Sequence, residues 1–373
     1  MKWLFWGSAA VISFTYMGYP GWLWLRSRWR RNPVKREPGA AALSVVMVVR
    51  NEEEVLDRKL RNLMDLNYPA HLREIIVVSD GSDDGTNEIL SRWSKYPEIR
   101  VTIYARPRGK AACLNDAINI ASGEIIVFTD SRQQIEHDAL RFLAENFADP
   151  TVGCASGELM LGEPESGDSA KGMGIYWRIE KKVRELESAS GSVVGATGAL
   201  YAVRRHLLAP VPPETILDDV YIPMNVVRQG SRVIFDARAR AWDVPNLGAT
   251  REFARKVRTL SGNYQLIQLA PWLLRSSNPL RFEFVCHKLL RLTVPFALAI
   301  ALVSSAFLQG PIYRLALILQ LGFYALSLLG IAQFRRGPVA KLADAAFTFV
   351  VLNTAAAVAF ANFVTGKKVV WIR

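Results

Sequence analysis

The sequence predicts an α/β domain with a doubly wound, mostly parallel sheet, flanked by transmembrane helices. Half of the 373 residues are hydrophobic and the mean hydropathy is +0.12. These residues concentrate at the two ends of the chain. Between residues 43 and 260, short apolar runs of strand length alternate with segments of helical spacing. That alternation is typical of a parallel sheet covered by helices.

The amino-terminal segment, residues 1–25, is predicted to be a transmembrane helix. It is nearly uncharged and rich in Trp and Tyr, and about 20 such residues suffice to cross a bilayer. A cleaved signal peptide is the alternative, but no small-residue cleavage site follows. Residues 26–42 form a basic linker, which the positive-inside rule places in the cytoplasm.

The domain at residues 43–260 carries its candidate site at strand ends. We predict strands at residues 43–49, 74–79, 101–104 and 124–129, and helices at residues 53–66, 86–93 and 111–121. Ligands of such sheets bind outside the carboxyl ends of the strands. Polar residues that follow the strands are therefore the candidates for chemistry.

The carboxyl-terminal part is predicted to be membrane-bound. Residues 261–283 read as an amphipathic segment at the interface, and residues 284–366 hold about three spans, at 285–308, 312–334 and 342–364. Arg335, Arg336 and Lys341 favour a cytoplasmic loop between the last two spans. Residues 367–373 form a basic tail. Three spans would leave this tail outside, whereas its charge favours the cytoplasm, and the sequence leaves that side open.

Charge and cysteine usage exclude several classes of protein. The net charge of +12 lies largely beside apolar segments, which favours anionic lipid or phosphate as a partner. No groove-reading or stacking motif indicates nucleic acid. The three cysteines and four histidines are scattered without metal-ligand spacing, so a zinc site is not expected.

Four short motifs occur in order along the domain. They are VVRNEE at residues 48–53, DGSDDGT at 80–86, Gly109–Lys110, and DSR at 130–132. In this order they resemble the family 2 glycosyltransferases with a GT-A fold. The similarity is greatest to the membrane-integrated branch of cellulose, chitin, hyaluronan and poly-N-acetylglucosamine synthases, and it covers roughly residues 43–265.

The resemblance implies a set of donor contacts. Asn51, Glu52 and Asp80 are expected to bind the nucleotide sugar, with uracil as the base that Glu52 and Asp80 contact. Lys110 is expected to meet the diphosphate as a point charge. The alternatives are a solvated helix start for Glu52, a turn residue for Asp80 and a surface lysine for Lys110.

Asp130 matches the first residue of the family's D-x-D metal motif. Mg²⁺ or Mn²⁺ is therefore the implied cofactor, with Asp130 as its ligand. Arg132 stands where a second aspartate normally binds the cation, which weakens a site that needs hard oxygen ligands. Arg132 could instead contact the phosphates directly. In the other alternative it points away, and Glu136 or Asp138 replaces the missing ligand.

Two further motifs concern the acceptor. Residues 195–201 resemble the family's glycine-rich acceptor loop, which implies roles for Gly198 and Tyr201; a tight turn is the alternative. Residues 216–219 (ILDD) resemble the T-E-D motif, whose last carboxylate is the general base. That position maps to Asp219, with Asp218 beside it at the acceptor. A helix N-cap is the alternative for the pair.

The family's Q-x-x-R-W motif is degraded at residues 255–259. Arg258 is kept, Arg255 replaces Gln, and Thr259 replaces the Trp that stacks on the acceptor sugar in processive synthases. Arg255 and Arg258 still form a cationic cluster suited to a diphosphate. A basic patch on the membrane surface is the alternative.

The sequence thus predicts an integral protein of the cell (inner) membrane with a cytoplasmic catalytic domain. Its expected activity is inverting transfer of a sugar from a nucleotide sugar, with UDP the expected nucleotide, to a growing polysaccharide or a lipid-linked acceptor. A non-catalytic partner subunit that scaffolds a synthase is the alternative. The retained Asp80, Asp130, Asp219 and Arg258 favour the enzyme.

Overall fold

The computed structural model describes residues 1–162, 175–243, 249–331 and 338–367. Its strands are β1 (Leu43–Val49), β2 (Arg73–Asp80), β3 (Ile99–Tyr104), β4 (Ile125–Thr129), β5 (Gln134–Ile135), β6 (Val152–Leu161), β7 (Leu200–Arg204) and β8 (Arg232–Asp243). These strands form one sheet in the order β3-β2-β1-β4-β7-β6-β8-β5.

The sheet is parallel in its first half and mixed in its second. β1 pairs in parallel with both β2 and β4, and β2 pairs in parallel with β3. β7 then runs antiparallel between β4 and β6, while β6 and β8 are parallel. The predicted α/β sheet is confirmed. Its parallel part consists of the four strands that the apolar runs predict, β1 to β4.

Helices cover both faces of the sheet. Further helices precede the first strand and follow the last strand along the chain. They are α1 (Lys2–Ser13), α2 (Tyr19–Trp29), α3 (Glu53–Met64), α4 (Thr86–Trp93), α5 (Lys110–Ile120), α6 (Ala139–Glu145), α7 (Ile175–Ser190), α8 (Asp218–Arg228), α9 (Ala249–Leu269), α10 (Arg281–Phe284), α11 (Leu290–Phe307), α12 (Pro311–Ile331) and α13 (Pro338–Val364). π-helical turns join α1 to α2 and α10 to α11.

Strand β1 shows why the sheet is buried on both faces. Val45 and Met47 pack in one apolar cluster with Leu60 of α3. Val46 packs in the other cluster, with Leu114 of α5. Successive side chains of a strand point to opposite faces, so a run of apolar residues requires cover on both sides. The doubly wound arrangement follows from this run.

Three helices in the described residues are long and apolar enough to cross a membrane. They are Arg281–Phe307, Pro311–Gly330 and Val339–Val364, in the places where the sequence predicts spans. Together with the domain's position between apolar ends, they indicate a membrane-integrated protein. The amino-terminal helix is not among the three, and its crossing stays a prediction. Its Phe5 ring does pack against Tyr313 of α12, with centroids 5.0 Å apart.

Two predicted boundaries fall inside helices. Helix α9 runs continuously across residues 260 and 261, and α2 extends to Trp29, into the predicted linker. The boundary at residue 260 was placed where the sequence pattern changes, but the basic residues before it lie on one continuous amphipathic helix, α9. The predicted loop residues Arg335 and Arg336 and tail residues 368–373 lie outside the described part of the chain.

Candidate active site

Several carboxylates and the ammonium group of one lysine lie close together where β4 ends and α8 begins. Lys110, the first residue of α5, places its Nζ 3.3 Å from Oδ1 of Asp130 and 3.4 Å from Oδ1 of Asp218. Burial alone would lower the pKa of Lys110, but the charges of Asp130, Asp218 and Asp219 outweigh it and raise that pKa. Lys110 is therefore a fixed cation among three predicted site residues.

Among these aspartates, Asp219 has a pKa that is raised above its ordinary value. Burial, and then the charge of Asp218, raise its pKa to about 6, while Lys288, Lys110 and Arg184 partly offset the rise. A base titrating near neutral pH accepts a proton more effectively than an ordinary aspartate. Asp219 therefore has the protonation behaviour that a general base needs.

The glycine-rich loop closes over the same carboxylates. The backbone N–H of Ala196 donates to the carbonyl oxygen of Asp219 at 2.7 Å. A Cβ at Gly198 would lie 3.3 Å from Oδ2 of Asp219 and 3.8 Å from Oδ2 of Asp130. The missing side chain lets the backbone of the loop approach both carboxylates. Gly198 and Asp218 thus lie at the predicted site.

Tyr201, the other acceptor candidate, lies in the core instead. Its side chain is fully buried and stacks on Phe128 with ring centroids 4.7 Å apart. Its hydroxyl has no hydrogen-bond partner among the described residues. Its position on β7, paired with Phe128 of β4, gives it a packing role beneath the loop.

Asn51 and Glu52 form the turn after β1. Asn51 adopts a φ of 54°, a left-handed conformation that Asn tolerates better than most residues. Its Oδ1 accepts from the N–H of Asp83 at 3.0 Å, so the loops after β1 and β2 are tied together. Burial raises the pKa of Glu52, and Ser131 and Arg132 partly offset this. Glu52 therefore borders the D-S-R segment.

Asp80 is fully buried at the end of β2. Its carboxylate accepts from the N–H of Arg108 at 2.5 Å, from the N–H of Gly109 at 3.0 Å, and from Sγ of Cys113 at 3.4 Å. These bonds fix the loop that begins α5 and so position Lys110. Its direct contact with a nucleoside stays a prediction.

Arg132 and Arg255 converge on a carboxylate that the motif search missed, Asp243. Its Oδ2 lies 3.2 Å from an Nη of Arg132 and 3.7 Å from an Nη of Arg255. Gln133 also donates to it, at 3.2 Å. Asp243 ends β8, so the rule that picked out Asp80 and Asp130 would have found it had that strand been predicted. Arg258, half-buried on α9, makes no hydrogen bond or ion pair with the described residues.

Lys59 is another residue that sequence reasoning missed. Its buried Nζ donates to Oγ1 of Thr129 at 2.9 Å and to the carbonyl of Gln133 at 2.7 Å. Burial lowers its pKa to about 7. It holds together the chain on both sides of Asp130. A single lysine within an amphipathic helix looks like a surface residue, so no pattern marks it.

The fit of a divalent cation depends on Asp130. No cluster of three His, Cys, Asp or Glu suited to a metal occurs in the described ranges. Glu136 accepts from Trp242 at 2.8 Å and Asp138 from Asn67 at 2.7 Å, so other side chains engage both proposed replacement ligands. Asp130 is 39% exposed. Since Mg²⁺ often takes only one or two carboxylates plus substrate phosphates, Asp130 fits as a single protein ligand.

The fold and the family match indicate a glycosyltransferase of the GT-A type. Residues 44–210 match the sequence model described as Glycosyl transferase family 2, so this part of the chain is similar to the family 2 glycosyltransferases. The similarity that the motifs indicated is thereby confirmed, and it covers the strands and loops that hold Asn51, Asp80, Lys110 and Asp130.

Relatives and solved structures agree with this class. The chain is 23% identical over 239 residues to a poly-beta-1,6-N-acetyl-D-glucosamine synthase of Staphylococcus epidermidis, covering 62% of this chain and 56% of that protein. The Staphylococcus aureus (strain COL) synthase is 22% identical, covering 60% and 55%. The chain thus spans about half the length of these relatives. The mannosyltransferase PcManGT from Pyrobaculum calidifontis, solved with GDP-Man and Mn²⁺, shares the fold with a TM-score of 0.74 and 23% identity, over 98% of this chain and 100% of that one.

Proposed function

We propose that this protein is an inverting glycosyltransferase that moves a sugar from a nucleotide sugar to an acceptor at the membrane. The observation that carries the proposal is the grouping of Asp219, Asp130 and Lys110, with the backbone at Gly198 close to both carboxylates. Such a set combines a base with a raised pKa and a fixed cation beside it. Displacement at an anomeric carbon needs both.

The donor side is assigned to the loops after β1, β2 and β4. Asn51, Glu52 and Asp80 serve the nucleoside, with UDP as the expected nucleotide. Lys110, Arg132, Arg255 and Arg258 serve the diphosphate, because guanidinium and ammonium groups suit phosphate oxygens. A divalent cation held by Asp130 would neutralise charge on the leaving diphosphate. The solved mannosyltransferase with GDP-Man and Mn²⁺ supports donor and cation of this general kind.

The proposed reaction uses Asp219 as the base and Lys110 as the cation beside the leaving group. Asp219 takes the proton from an acceptor hydroxyl, whose oxygen then forms a bond to the anomeric carbon. The bond from that carbon to the diphosphate breaks, and the nucleoside diphosphate leaves with the electron pair. A single displacement inverts the anomeric configuration. Lys110 stabilises the negative charge that develops on the leaving group.

The proposed setting is the cytoplasmic face of the cell (inner) membrane. Nucleotide sugars are made in the cytoplasm, and the basic residues after the first helix favour that side. The acceptor is a growing polysaccharide or a lipid-linked sugar. The synthase relatives favour the polymer, whereas Thr259, standing where processive synthases carry Trp, favours a lipid-linked acceptor.

A donor panel tests the proposed function. Purified full-length protein in detergent is incubated with UDP-, GDP- and other nucleotide sugars, and the release of nucleoside diphosphate is followed with and without a membrane lipid extract. One donor should release its nucleoside diphosphate much faster than the others. The release that is counted includes slow transfer of the sugar to water. Failure of every donor, in protein whose fold is intact, would favour the scaffolding alternative.

A further inference from the structure

One carboxylate of the catalytic domain is held by helices from both ends of the chain. Glu187, on α7, is fully buried. Its Oε1 accepts from the hydroxyl of Tyr19 on α2 at 2.5 Å and lies 2.8 Å from Nδ1 of His287. His287 belongs to the π-turn within the first carboxyl-terminal span, Arg281–Phe307. This oxygen therefore joins α7 to α2 and to that span.

The other oxygen of the same carboxylate holds the loop that precedes β7. Oε2 of Glu187 accepts from the backbone N–H of Val194 at 3.3 Å. Burial alone would raise the pKa of Glu187, but the charge of His287 and its hydrogen bond lower that pKa. Glu187 is therefore an anion with two acceptor oxygens, and each oxygen serves a different part of the molecule.

Val194 lies two residues before the contact of this loop with Asp219. The N–H of Ala196 donates to the carbonyl oxygen of Asp219 at 2.7 Å. A Cβ at Gly195, whose φ is +86°, would lie 3.2 Å from the same oxygen. Gly198 then approaches the carboxylate of Asp219. A displacement of Val194 therefore moves the backbone that packs on both the main chain and the side chain of Asp219.

The neighbouring anchors of this loop belong to the catalytic domain itself. The N–H of Val193 donates to the carbonyl oxygen of Val233 on β8 at 2.8 Å, and the N–H of Thr197 donates to Oγ of Ser156 on β6 at 3.0 Å. Among the hydrogen bonds of residues 193–198 to described residues, the bond to Glu187 is the one that leads on to α2 and the span.

We infer that Glu187 is a positioning residue that couples the packing of α2 and the first carboxyl-terminal span to the loop beside Asp219. Tyr19 and His287 fix the carboxylate from one side, and the carboxylate fixes Val194 on the other. The inference rests on the proposed function, in which Asp219 is the base. It adds that these helices set the geometry around the base as well as anchoring the enzyme.

Replacement by glutamine separates the two sides of the carboxylate. The amide keeps the shape of the side chain but has one acceptor oxygen and an NH₂ group that only donates. With its oxygen towards Tyr19 and His287, its NH₂ group faces the N–H of Val194, so the loop loses its anchor. Hydrogen–deuterium exchange of the full-length protein should therefore rise by about fivefold or more in peptides covering residues 192–199 of Glu187→Gln.

Glu180→Gln is the matched control, because Glu180 is a buried carboxylate of the same helix and the same network. It lies 2.9 Å from Nε2 of His287 and accepts from Arg291 at 2.6 Å. Both variants remove a charge from a buried network, so both should lower the melting temperature. Exchange at residues 192–199 should rise only in Glu187→Gln. An equal rise in Glu180→Gln would reveal a general loosening and overturn the inference.

Tyr19→Phe tests the coupling from the side of α2 with the carboxylate intact. It removes one donor to Oε1 of Glu187, so exchange at residues 192–199 should rise, by less than in Glu187→Gln. Tyr324→Phe is the control, because its hydroxyl accepts from Gln320 within α12 at 2.8 Å, and it should leave that exchange unchanged. Wild-type exchange in Tyr19→Phe would contradict the coupling, whether or not Glu187→Gln folds.

Steady-state kinetics of nucleoside diphosphate release supply the second readout. With the donor that the wild type turns over fastest, Glu187→Gln should lower kcat about tenfold or more, since a misplacement of 1 Å can cost about 10² in rate. The donor KM should stay within about twofold, because the donor contacts are unchanged. Glu180→Gln should keep the wild-type kcat.

The outcomes distinguish the inference from the proposed function. A wild-type kcat in Glu187→Gln, or an equal fall in Glu180→Gln, would overturn the positioning role. A wild-type protein that turns over no donor would instead reject the proposed function. The exchange experiment would still decide whether Glu187 couples the helices to the loop.

Discussion

At the scale of single residues, the protonation of Asp219 governs the proposed chemistry. Its pKa of about 6 comes first from burial and then from Asp218. The carboxylate is the basic form, so the transfer rate should fall as pH falls through about 6. Asp218→Asn removes one repulsive charge and lowers the pKa of Asp219, so the acid limb of its pH–rate profile should move to lower pH.

The matched control for this prediction is Asp65→Asn, which removes an exposed carboxylate of the same charge. Its pH–rate profile should superimpose on that of the wild type. An acid limb that stays in place in Asp218→Asn would show that another group limits the rate at low pH.

Arg132 governs the second residue-scale prediction. A guanidinium in place of a carboxylate reduces divalent-cation binding and adds positive charge, and unit charges 4 Å apart attract by about 4 kcal/mol at an effective dielectric of 20. Activity should therefore persist at low Mn²⁺ or Mg²⁺. Arg132→Asp should raise the metal requirement, and Arg132→Ala should lose activity that added metal only partly restores. A titration of rate against metal compares the three proteins.

The ion pair of Arg132 with Asp243 bears on this outcome. If that pair engages Arg132 throughout the reaction, the guanidinium does not serve the phosphates. The wild type would then be inactive in chelator and Arg132→Ala would retain wild-type activity, which contradicts the prediction.

At the scale of elements, the loop at residues 195–198 sets the space between the two carboxylates. A Cβ at Gly198 would lie 3.3 Å from Asp219, closer than a side chain normally approaches, so Gly198→Ala should displace Asp219 or the acceptor. Since a misplacement of 1 Å can cost about 10² in rate, we expect a loss of that order with an unchanged melting temperature.

Gly191→Ala is the control, because a Cβ there meets nothing closer than a backbone oxygen at 4.0 Å and the φ angle is not left-handed. It should leave the transfer rate unchanged. Full activity of Gly198→Ala would mean that the loop does not border the reacting groups.

The sequence predicts a strand or helix correctly where a local pattern of residues decides the structure. The strand at residues 43–49 is an unbroken apolar run, and it forms as β1 with those bounds. The antiparallel entry of β7 between β4 and β6 depends on pairing across many residues, which no local pattern records. Asp243 was missed for the same reason. Tyr201 was assigned to the acceptor from a motif, and that role stays a prediction, since a motif does not show that its side chain is buried.

At the scale of the whole molecule, buried charges join the catalytic domain to the membrane helices. His287, in the π-turn of the first carboxyl-terminal span, lies 2.8 Å from Glu187 and 2.9 Å from Glu180 of α7. Tyr19 of α2 donates to the same Glu187 at 2.5 Å. Removing one partner of a buried charge network is strongly destabilising. The domain and these helices are therefore expected to unfold together, a coupling that the scattered histidines of the sequence gave no reason to expect.

The orientation of the molecule is testable by cysteine labelling. The three native cysteines are buried, so an added surface cysteine should dominate the signal. Glu54→Cys lies exposed on the catalytic domain, and Gln309→Cys lies between α11 and α12. In intact cells an impermeant maleimide should label Gln309→Cys, and should label Glu54→Cys only after permeabilisation. The reverse pattern would contradict a cytoplasmic catalytic domain.

The central claim is that Asp219 deprotonates the acceptor in a glycosyl transfer. The most direct measurement is the transfer rate of Asp219→Asn, determined beside nucleotide binding and beside the Asp65→Asn control. General-base catalysis contributes about 10²–10⁴, so the rate should fall by at least about 10² while nucleotide binding and the control remain at wild-type levels. A variant that keeps more than about a tenth of the wild-type rate would contradict the claim.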